Sequence, residues 1–278
     1  MFHPGAWKVR LLFWAGSIVV GLVAALFALA SEEADHFFHR VVEHYSWAPL
    51  VVTPLGLIVI AWLSRRFFPG SQGSGIPQTI ADIVLHSKSA VLSLRIAIGK
   101  VFLTLFGLAC GASIGREGPS VHIGASLLYA FSRYTKYTPR HMERSAILAG
   151  GAAGIAAAFN TPLAGVIFAM EVIVAEYTVA GFVPVMLSAV SASAISRNLG
   201  GGAALLAIPE VQLSSLWEIP YIILLGVCCG MAIALFIRLS KLSARLSHWP
   251  VALRFLLAGV FTGAIALLVP EVLGMGYD

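Results

Sequence analysis

The sequence predicts an all-α, polytopic membrane protein, and three observations carry that prediction. Hydrophobic residues make up 59% of the 278-residue chain and charged residues only 11%. Long windows lack Asp, Glu, Lys and Arg altogether: Leu11–Ala30, Ala48–Ser64, Ser145–Met170, Tyr177–Ser196, Pro220–Ile237 and Phe255–Pro270. An apolar run of roughly twenty residues crosses the hydrocarbon core as a helix, the form that satisfies its own backbone. The basic residues then fall in short connecting segments, as they do on the cytoplasmic side of membrane proteins. The net charge of +5 is therefore a matter of topology and does not imply a nucleic-acid partner. Cys110, Cys228 and Cys229 all lie in apolar stretches. They are expected to be small packing residues, with no disulfide framework or metal site.

The chain opens on Lys8 and Arg10, followed by the first span, Leu11–Ala30. That window is too long for a signal-peptide core. Residues 31–47 read as a polar loop holding Glu32, Glu33, Asp35, Glu43 and Arg40. Its His36, His39 and His44 have a spacing compatible with a metal, but no Cys/His signature surrounds them, and a solvated face is expected. The second span, Ala48–Ser64, ends at Arg65-Arg66. Basic start, acidic loop and basic loop place the N-terminus and residues 65–66 in the cytoplasm and 31–47 outside.

Pro69-Gly-Ser-Gln-Gly-Ser-Gly-Ile-Pro77 follows. It lacks the Gly-Lys-Ser/Thr ending of a phosphate loop. Its glycines allow close approach to something small and Ser74 supplies a hydroxyl, although an ordinary interhelical turn explains the stretch equally well. Pro77 opens a short helix, Gln78–His86. Lys88 and Arg95 mark a loop, and Ile96–Ala112 is a span interrupted by Lys100, which is expected to snorkel to the cytoplasmic interface.

The central stretch is Ser113-Ile-Gly-Arg-Glu-Gly-Pro-Ser-Val-His-Ile-Gly124. Arg116 and Glu117 stand in the middle of about thirty residues otherwise free of charged side chains, a depth at which charge marks an ion or proton pathway. Gly115 and Gly118 permit unusual backbone, and Pro119 suits the first position of a helix running through Val121–Tyr129. A helix N-terminus inside a membrane is a natural anion site. Glu117, ionised, can occupy that site and, protonated, leave it. The alternative is a structural Arg116–Glu117 pair that staples two helices.

Arg133, Lys136, Arg140 and Arg144 then crowd a cytoplasmic loop. Ser145–Met170 is rich in glycine and alanine, and Gly150 and Gly154 have the spacing that lets helices approach closely. Asn160-Thr161-Pro162 breaks the run into two shorter helices, ending near Glu171 and Glu176. Broken helices near one another are the pattern of ion-binding transporters. Gly181–Ser196 is a further span, 197–217 a looser loop with Gly200-Gly-Gly202, Pro220–Ser247 a long helix with a basic second half, and Arg254–Pro270 the last span.

Three motifs together resemble the voltage-gated chloride channel (CLC) family of chloride channels and proton/chloride exchangers. They are Gly73-Ser-Gly-Ile-Pro77, Gly115-Arg-Glu-Gly-Pro119 and Phe159-Asn-Thr-Pro-Leu-Ala-Gly165 leading to Glu171. The resemblance implies a CLC-type transmembrane domain over residues 1–278. That domain is a bundle of tilted and discontinuous helices, with a first inverted repeat at about 11–198 and the start of a second at about 219–278. It implies that chloride is held by Ser74, Gly75, Ile76 and Gly118, through the Ser74 hydroxyl and helix N-termini. Glu117 is then the gate and outer proton acceptor, with Arg116, Pro119 and Gly115 supporting it. A serine at 74 resembles chloride-preferring members, and a proline there resembles nitrate-preferring ones.

The resemblance further implies a homodimer through helices at about 163–198, in a plasma or inner membrane, with no cofactor. Val172 stands where many exchangers carry a second, proton-relaying glutamate, so the residues leave channel and exchanger open. The family's later Gly-x-Phe-x-Pro loop and inner tyrosine are not found, so the chain reads as part of a longer protein. Two further readings compete: a non-conducting half-pore that needs a partner or its missing half, and an intramembrane enzyme using Glu117 and His122. His122 lies five residues after Glu117, off its helical face, and no nucleophile or metal signature accompanies it, so the enzyme reading is set aside.

Overall fold

The computed structural model describes residues 4–85, 91–134, 140–174, 179–199 and 215–276. Within them the chain forms ten α-helices. They are α1 (Pro4–His44), α2 (Ala48–Arg66), α3 (Ile76–Leu85), α4 (Leu94–Ala109), α5 (Glu117–Tyr134), α6 (Arg140–Phe159), α7 (Pro162–Phe168), α8 (Val179–Leu199), α9 (Ile219–Ala244) and α10 (Val251–Ala266). Four described helical stretches are long and apolar enough to cross a membrane: Phe13–His44, Ala48–Arg66, Phe182–Leu199 and Leu216–His248.

Most of the predicted loop at 31–47 is instead helical, because α1 continues to His44. A 41-residue helix is about 60 Å long, twice the hydrocarbon thickness, so an apolar first half and a polar second half belong to one rod. Phe38, 1% exposed, anchors the polar half against Gly111. His36 and His44 face outward, and His39 approaches Asp35 Oδ1 at 3.8 Å. Among the described residues no group of three His, Cys, Asp or Glu could hold a metal.

The break at Asn160–Pro162 is where the sequence places it. Asn160 takes a left-handed φ of +54°, and Pro162 starts α7, which widens into a π-turn at Ala169–Val174. Pro119 is not the first residue of its helix, because α5 begins two residues earlier, at Glu117. Lys136, Glu176, Tyr177 and Gly200–Gly202 lie outside the described residues.

Packing follows the small residues. Lipid is as apolar as leucine, so helices associate through close backbone contact and interhelical hydrogen bonds. A Cβ on Gly150 would meet Cα of Ala125 at 2.8 Å and the Gly124 carbonyl, and one on Gly154 would meet the Ser120 carbonyl, so α5 and α6 touch backbone to backbone. The core spreads from this contact through Ala149, Ala152, Ala153, Val121, Ala125, Met170 and Val185, joining α5, α6, α7 and α8. Ser17 of α1 donates to Ser188 of α8 at 2.7 Å, and Ser196 of α8 donates to the Ala157 carbonyl at 2.8 Å.

α10 covers α2, with Gly259 over Pro54 and Gly263 over Pro49. No residue of α9 is buried. Cys228 and Cys229 are therefore exposed, contrary to the packing role expected of them, while Cys110 is buried beside Gly56.

Candidate functional site

Two helix beginnings meet, and they are built alike. At the start of α3 the Gly75 carbonyl accepts from the Thr79 amide at 3.0 Å and the Thr79 hydroxyl at 2.9 Å. At the start of α5 the Arg116 carbonyl accepts from the Ser120 amide at 3.0 Å and the Ser120 hydroxyl at 2.8 Å. In each, a hydroxyl residue four positions on locks the first turn, and a proline (Pro77 or Pro119) lies inside it. The first N–H groups of a helix have no partner within it and carry partial positive charge. The sequence cue is the same in both motifs: glycine, then proline, then Thr or Ser, before an apolar run.

The two ends touch at Ser74 and Gly118. A Cβ on Gly118 would lie 2.7 Å from Ser74 Cβ and 2.9 Å from its carbonyl oxygen, so only glycine fits against the turn. Ser74 itself is exposed, whereas Gly118 and Pro119 are buried. Gly75 takes φ +105°, which places it in the left-handed region, and a side chain there would strike His122, 2.5 Å away at Cβ. Ile76 is half-buried and packs its side chain against the main core. Ser74, Gly75, Ile76 and Gly118 are thus brought into one place. Glu117 lies at the edge of that place, half-buried, with its carboxylate folded back over Gly115.

One charged side chain behaves differently from expectation. Lys100 does not snorkel: it is 2% exposed, and its ammonium donates to the Gly73 carbonyl at 2.9 Å. Its Nζ would lie 3.0 Å from a Cβ on Gly75. A buried ammonium needs a partner, and a carbonyl on a glycine turn is a partner that water cannot displace cheaply. Nothing in the local sequence announces that bond, because Gly73 is twenty-seven positions away.

Arg116 reaches across to another helix. Its Nη1 donates to Glu32 Oε1 at 2.8 Å and to the Ala28 carbonyl at 3.0 Å, both on α1. The guanidinium side chain is 3% exposed. Arg116 thus ties the start of α5 to α1, while the Glu117 carboxylate folds over Gly115.

The approach to α5 is held from three sides. Thr53 of α2 donates to the Cys110 carbonyl at 2.8 Å, Phe38 of α1 packs on Gly111, and the Ile114 amide donates to the Gly274 carbonyl at 3.1 Å. Non-helical backbone at membrane depth persists only where its polar groups are met in this way. Val172 is exposed and Glu171 beside it is exposed, both on the π-turn, on elements that the Ser74–Gly118 contact does not include.

A family model described as voltage gated chloride channel matches residues 55–278. A protein of Ralstonia nicotianae named as chloride channel protein ClcB-like is 32% identical over 92% of this chain and 65% of its own. The H(+)/Cl(-) exchange transporter ClcA of Vibrio cholerae is 30% identical over 94% of this chain and 59% of its own. The chain therefore spans about three-fifths to two-thirds of the length of these relatives.

Among solved structures, a slow cyanobacterial Cl-/H+ antiporter superposes with a TM-score of 0.83 at 23% identity, covering 100% of this chain and 67% of that one. A CLC-type fluoride/proton antiporter superposes with a TM-score of 0.82 at 20% identity, covering 98% and 68%. These two likenesses concern the fold. With integral, multi-pass architecture, helix starts meeting at Ser74 and Gly118, and a family match over most of its length, the chain belongs to the voltage-gated chloride channel (CLC) family.

Proposed function

We propose that the chain serves chloride transport across a membrane. The anion is held between the starts of α3 and α5, and Glu117 gates it. The contact of Gly118 with Ser74 supports this reading most directly, because it brings two electropositive helix ends and one hydroxyl to a single point. Lys100, buried behind the Gly73 carbonyl, adds positive potential there, felt strongly where the medium is poorly polarisable. In this reading Ser74, Gly75, Ile76 and Gly118 hold chloride, and Glu117 enters the outer anion position when ionised and leaves it on protonation. Arg116, Gly115 and Pro119 shape the turn. The N-terminus faces the cytoplasm, and two copies pair through the face bearing Leu163, Ile167, Phe182 and Val190, which are exposed in one copy. Of the two relatives, one is named as a chloride channel protein and the other as an H(+)/Cl(-) exchange transporter, and both names support a chloride substrate.

The alternative is a half-pore that conducts only with a partner or a further segment, and one observation favours it: α9 is long and apolar yet has no buried residue. Liposomes loaded with potassium chloride and carrying this chain separate the readings. After a potassium ionophore is added, external chloride and pH are followed together. Chloride release establishes the pathway, and proton movement coupled to it identifies an exchanger. Absence of release from folded protein sinks the conducting reading of this chain and leaves the half-pore.

Two substitutions probe the anion position. Ser74→Pro removes the hydroxyl and is expected to shift preference from chloride toward nitrate, read as the ratio of the two fluxes. An unchanged ratio removes Ser74 from the ligand set. Lys100→Met keeps the stem but deletes the buried charge. It is expected to weaken chloride binding about tenfold, read by titration calorimetry, since one buried charge near an anion is worth at least that factor.

A further inference from the structure

We propose that the seam between α3 and α5 carries a proton between Glu117 and the cytoplasmic side, and that Asp82 is its inner acceptor. The inference rests on the reading of Glu117 as a gate that takes up a proton. Its observations lie elsewhere in the fold. Gly75, at the start of α3, is packed on His122 of α5: a Cβ on Gly75 would lie 2.5 Å from that of His122. Seven positions further along both segments, Asp82 acts electrostatically on the Tyr129 phenol. The two pairs share one sequence offset, so α3 and α5 run side by side in constant register. The same offset sets Thr79 level with Ser126.

This seam is polar and closed to bulk solvent. His122, Ser126 and Thr79 are 0% exposed, Asp82 6% and Tyr129 7%. His122, Ser126 and Tyr129 follow the i, i+4, i+7 spacing of one helix face, a stripe about 10 Å long. The Thr79 hydroxyl is committed to the Gly75 carbonyl. Ser126 Oγ makes no hydrogen bond among the described residues, and neither ring nitrogen of His122 makes a well-formed one. The Val91 backbone interacts with that ring, but it can serve one nitrogen at most. Buried polar atoms left over in this way are ordinarily met by internal water. Water strung between an imidazole, hydroxyls and a carboxylate is a proton conductor, and such chains are how membrane proteins move protons.

The ionisable groups around α3 single out one end point. α5 supplies Glu117, His122, Tyr129 and Arg133, α6 supplies Glu143 and Arg144, and the π-turn supplies Glu171. Lys100 of α4 stands at the opposite end, on the Gly73 carbonyl and within electrostatic reach of His122. Glu171 is exposed, and Glu117 and Glu143 are half-buried, so Asp82 is the one buried carboxylate of this set. Beside it the Arg133 guanidinium lies 5.9 Å from the centre of the Tyr129 ring, and Arg133 is exposed, so the seam meets solvent there. Protonated Glu117 gives its proton to water in the seam. His122, Ser126 and Tyr129 hand it on, and the Asp82 carboxylate takes it and releases it beside Arg133. Glu117 is left ionised, and no other bond changes.

Chloride and pH traces from liposomes carrying this chain test the route. The unmodified chain is expected to move protons with chloride. Asp82→Asn keeps the side-chain size but removes the acceptor. It is expected to lower the ratio of protons to chloride moved at least about tenfold while chloride flux continues, and Asp82→Glu is expected to restore the ratio. An unchanged ratio in Asp82→Asn, where Glu117→Gln abolishes proton movement, overturns the inference and leaves the gate reading intact. Proton movement that survives Glu117→Gln overturns the gate reading, and the inference with it. Chloride flux without proton movement in the unmodified chain overturns the inference, as does an Asp82→Asn variant that loses both fluxes, which would make Asp82 a structural residue.

A second measurement needs no flux. In magnetic resonance of the chain labelled with nitrogen-15 histidine, the His122 signal is identified by its loss in His122→Gln. Its ring is expected to exchange with water. Where no flux is read, exchange supports a wet seam, and a ring without it means a dry one and overturns the proposal.

Discussion

Chloride flux through Glu117→Gln is expected to continue but to lose its response to pH, with any coupled proton movement abolished. Glutamine has the size of the protonated side chain and cannot ionise, so it stands for the open gate at every pH. On the proposed reading, the ionised carboxylate of the unmodified protein competes with chloride for the space at the starts of α3 and α5. On that reading, passage is expected to rise as the pH is lowered. The sign is fixed by the chemistry of the site: helix N-termini favour an anion, whether a carboxylate or chloride. The measurement is the pair of chloride and pH traces from liposomes at several external pH values. Flux in Glu117→Gln that climbs with acid as in the unmodified protein would mean that another group gates. The effect is expected to be large because the proposed reading assigns the competition to this one side chain.

The second large effect is on the fold. Gly150→Leu is expected to prevent α5 and α6 from docking, giving protein that melts far below the wild type in detergent or fails to fold. A Cβ there meets Ala125 Cα at 2.8 Å and the Gly124 carbonyl carbon at 2.7 Å, and neither is the end of a flexible side chain. Overpacking in ordinary cores costs about 1–3 kcal/mol, and here the displaced atoms are backbone, so the loss is at the upper end or beyond. Because α5 also carries Gly118, prying it from α6 disturbs the Ser74 contact as well. Gly226 of α9, with open space about it, is the control: Gly226→Leu is expected to leave the melting temperature close to that of the wild type. Equal melting of Gly150→Leu and wild type would mean that the two helices do not rely on this contact.

Much of the architecture was legible from uncharged windows, because the bilayer imposes length and apolarity on each span separately. The break at Asn160–Pro162 was legible because proline acts locally. The second half of α1 was misread because Glu32, Asp35, His36 and His39 look like loop residues. On a helix, Glu32 reaches Arg116 and Asp35 turns to Gly274, while Phe38 is the buried anchor between two polar turns. Ser74, Gly75 and Gly118 were named together on family likeness, and their meeting is a matter of tertiary geometry. The partners of Lys100 and Arg116 were not legible at all. Their charges are plain in sequence, but each binds a group on another element, a carbonyl in one case and a helix-borne carboxylate in the other. Direction and partner of a membrane charge are set by the neighbour that happens to be oriented toward it, and periodicity carries no trace of that.

The hydrogen bond from the Ile114 amide to the Gly274 carbonyl has a consequence for the order in which the protein is made. Chains emerge from the ribosome N-terminus first, and early segments fold while later ones are still being synthesised. α1 to α8 can assemble around the α5–α6 contact long before residue 274 exists. The segment leading into Glu117 cannot. One of its backbone amides stays without its final acceptor, and the Pro49 and Pro54 face of α2 stays bare, until α10 and the turn after it arrive. The segment leading into Glu117 is therefore among the last parts of this fold to mature, although its residues are translated early. A nascent chain arrested before α10 holds the scaffold around Ser74 and Gly118 with the approach to α5 still unset.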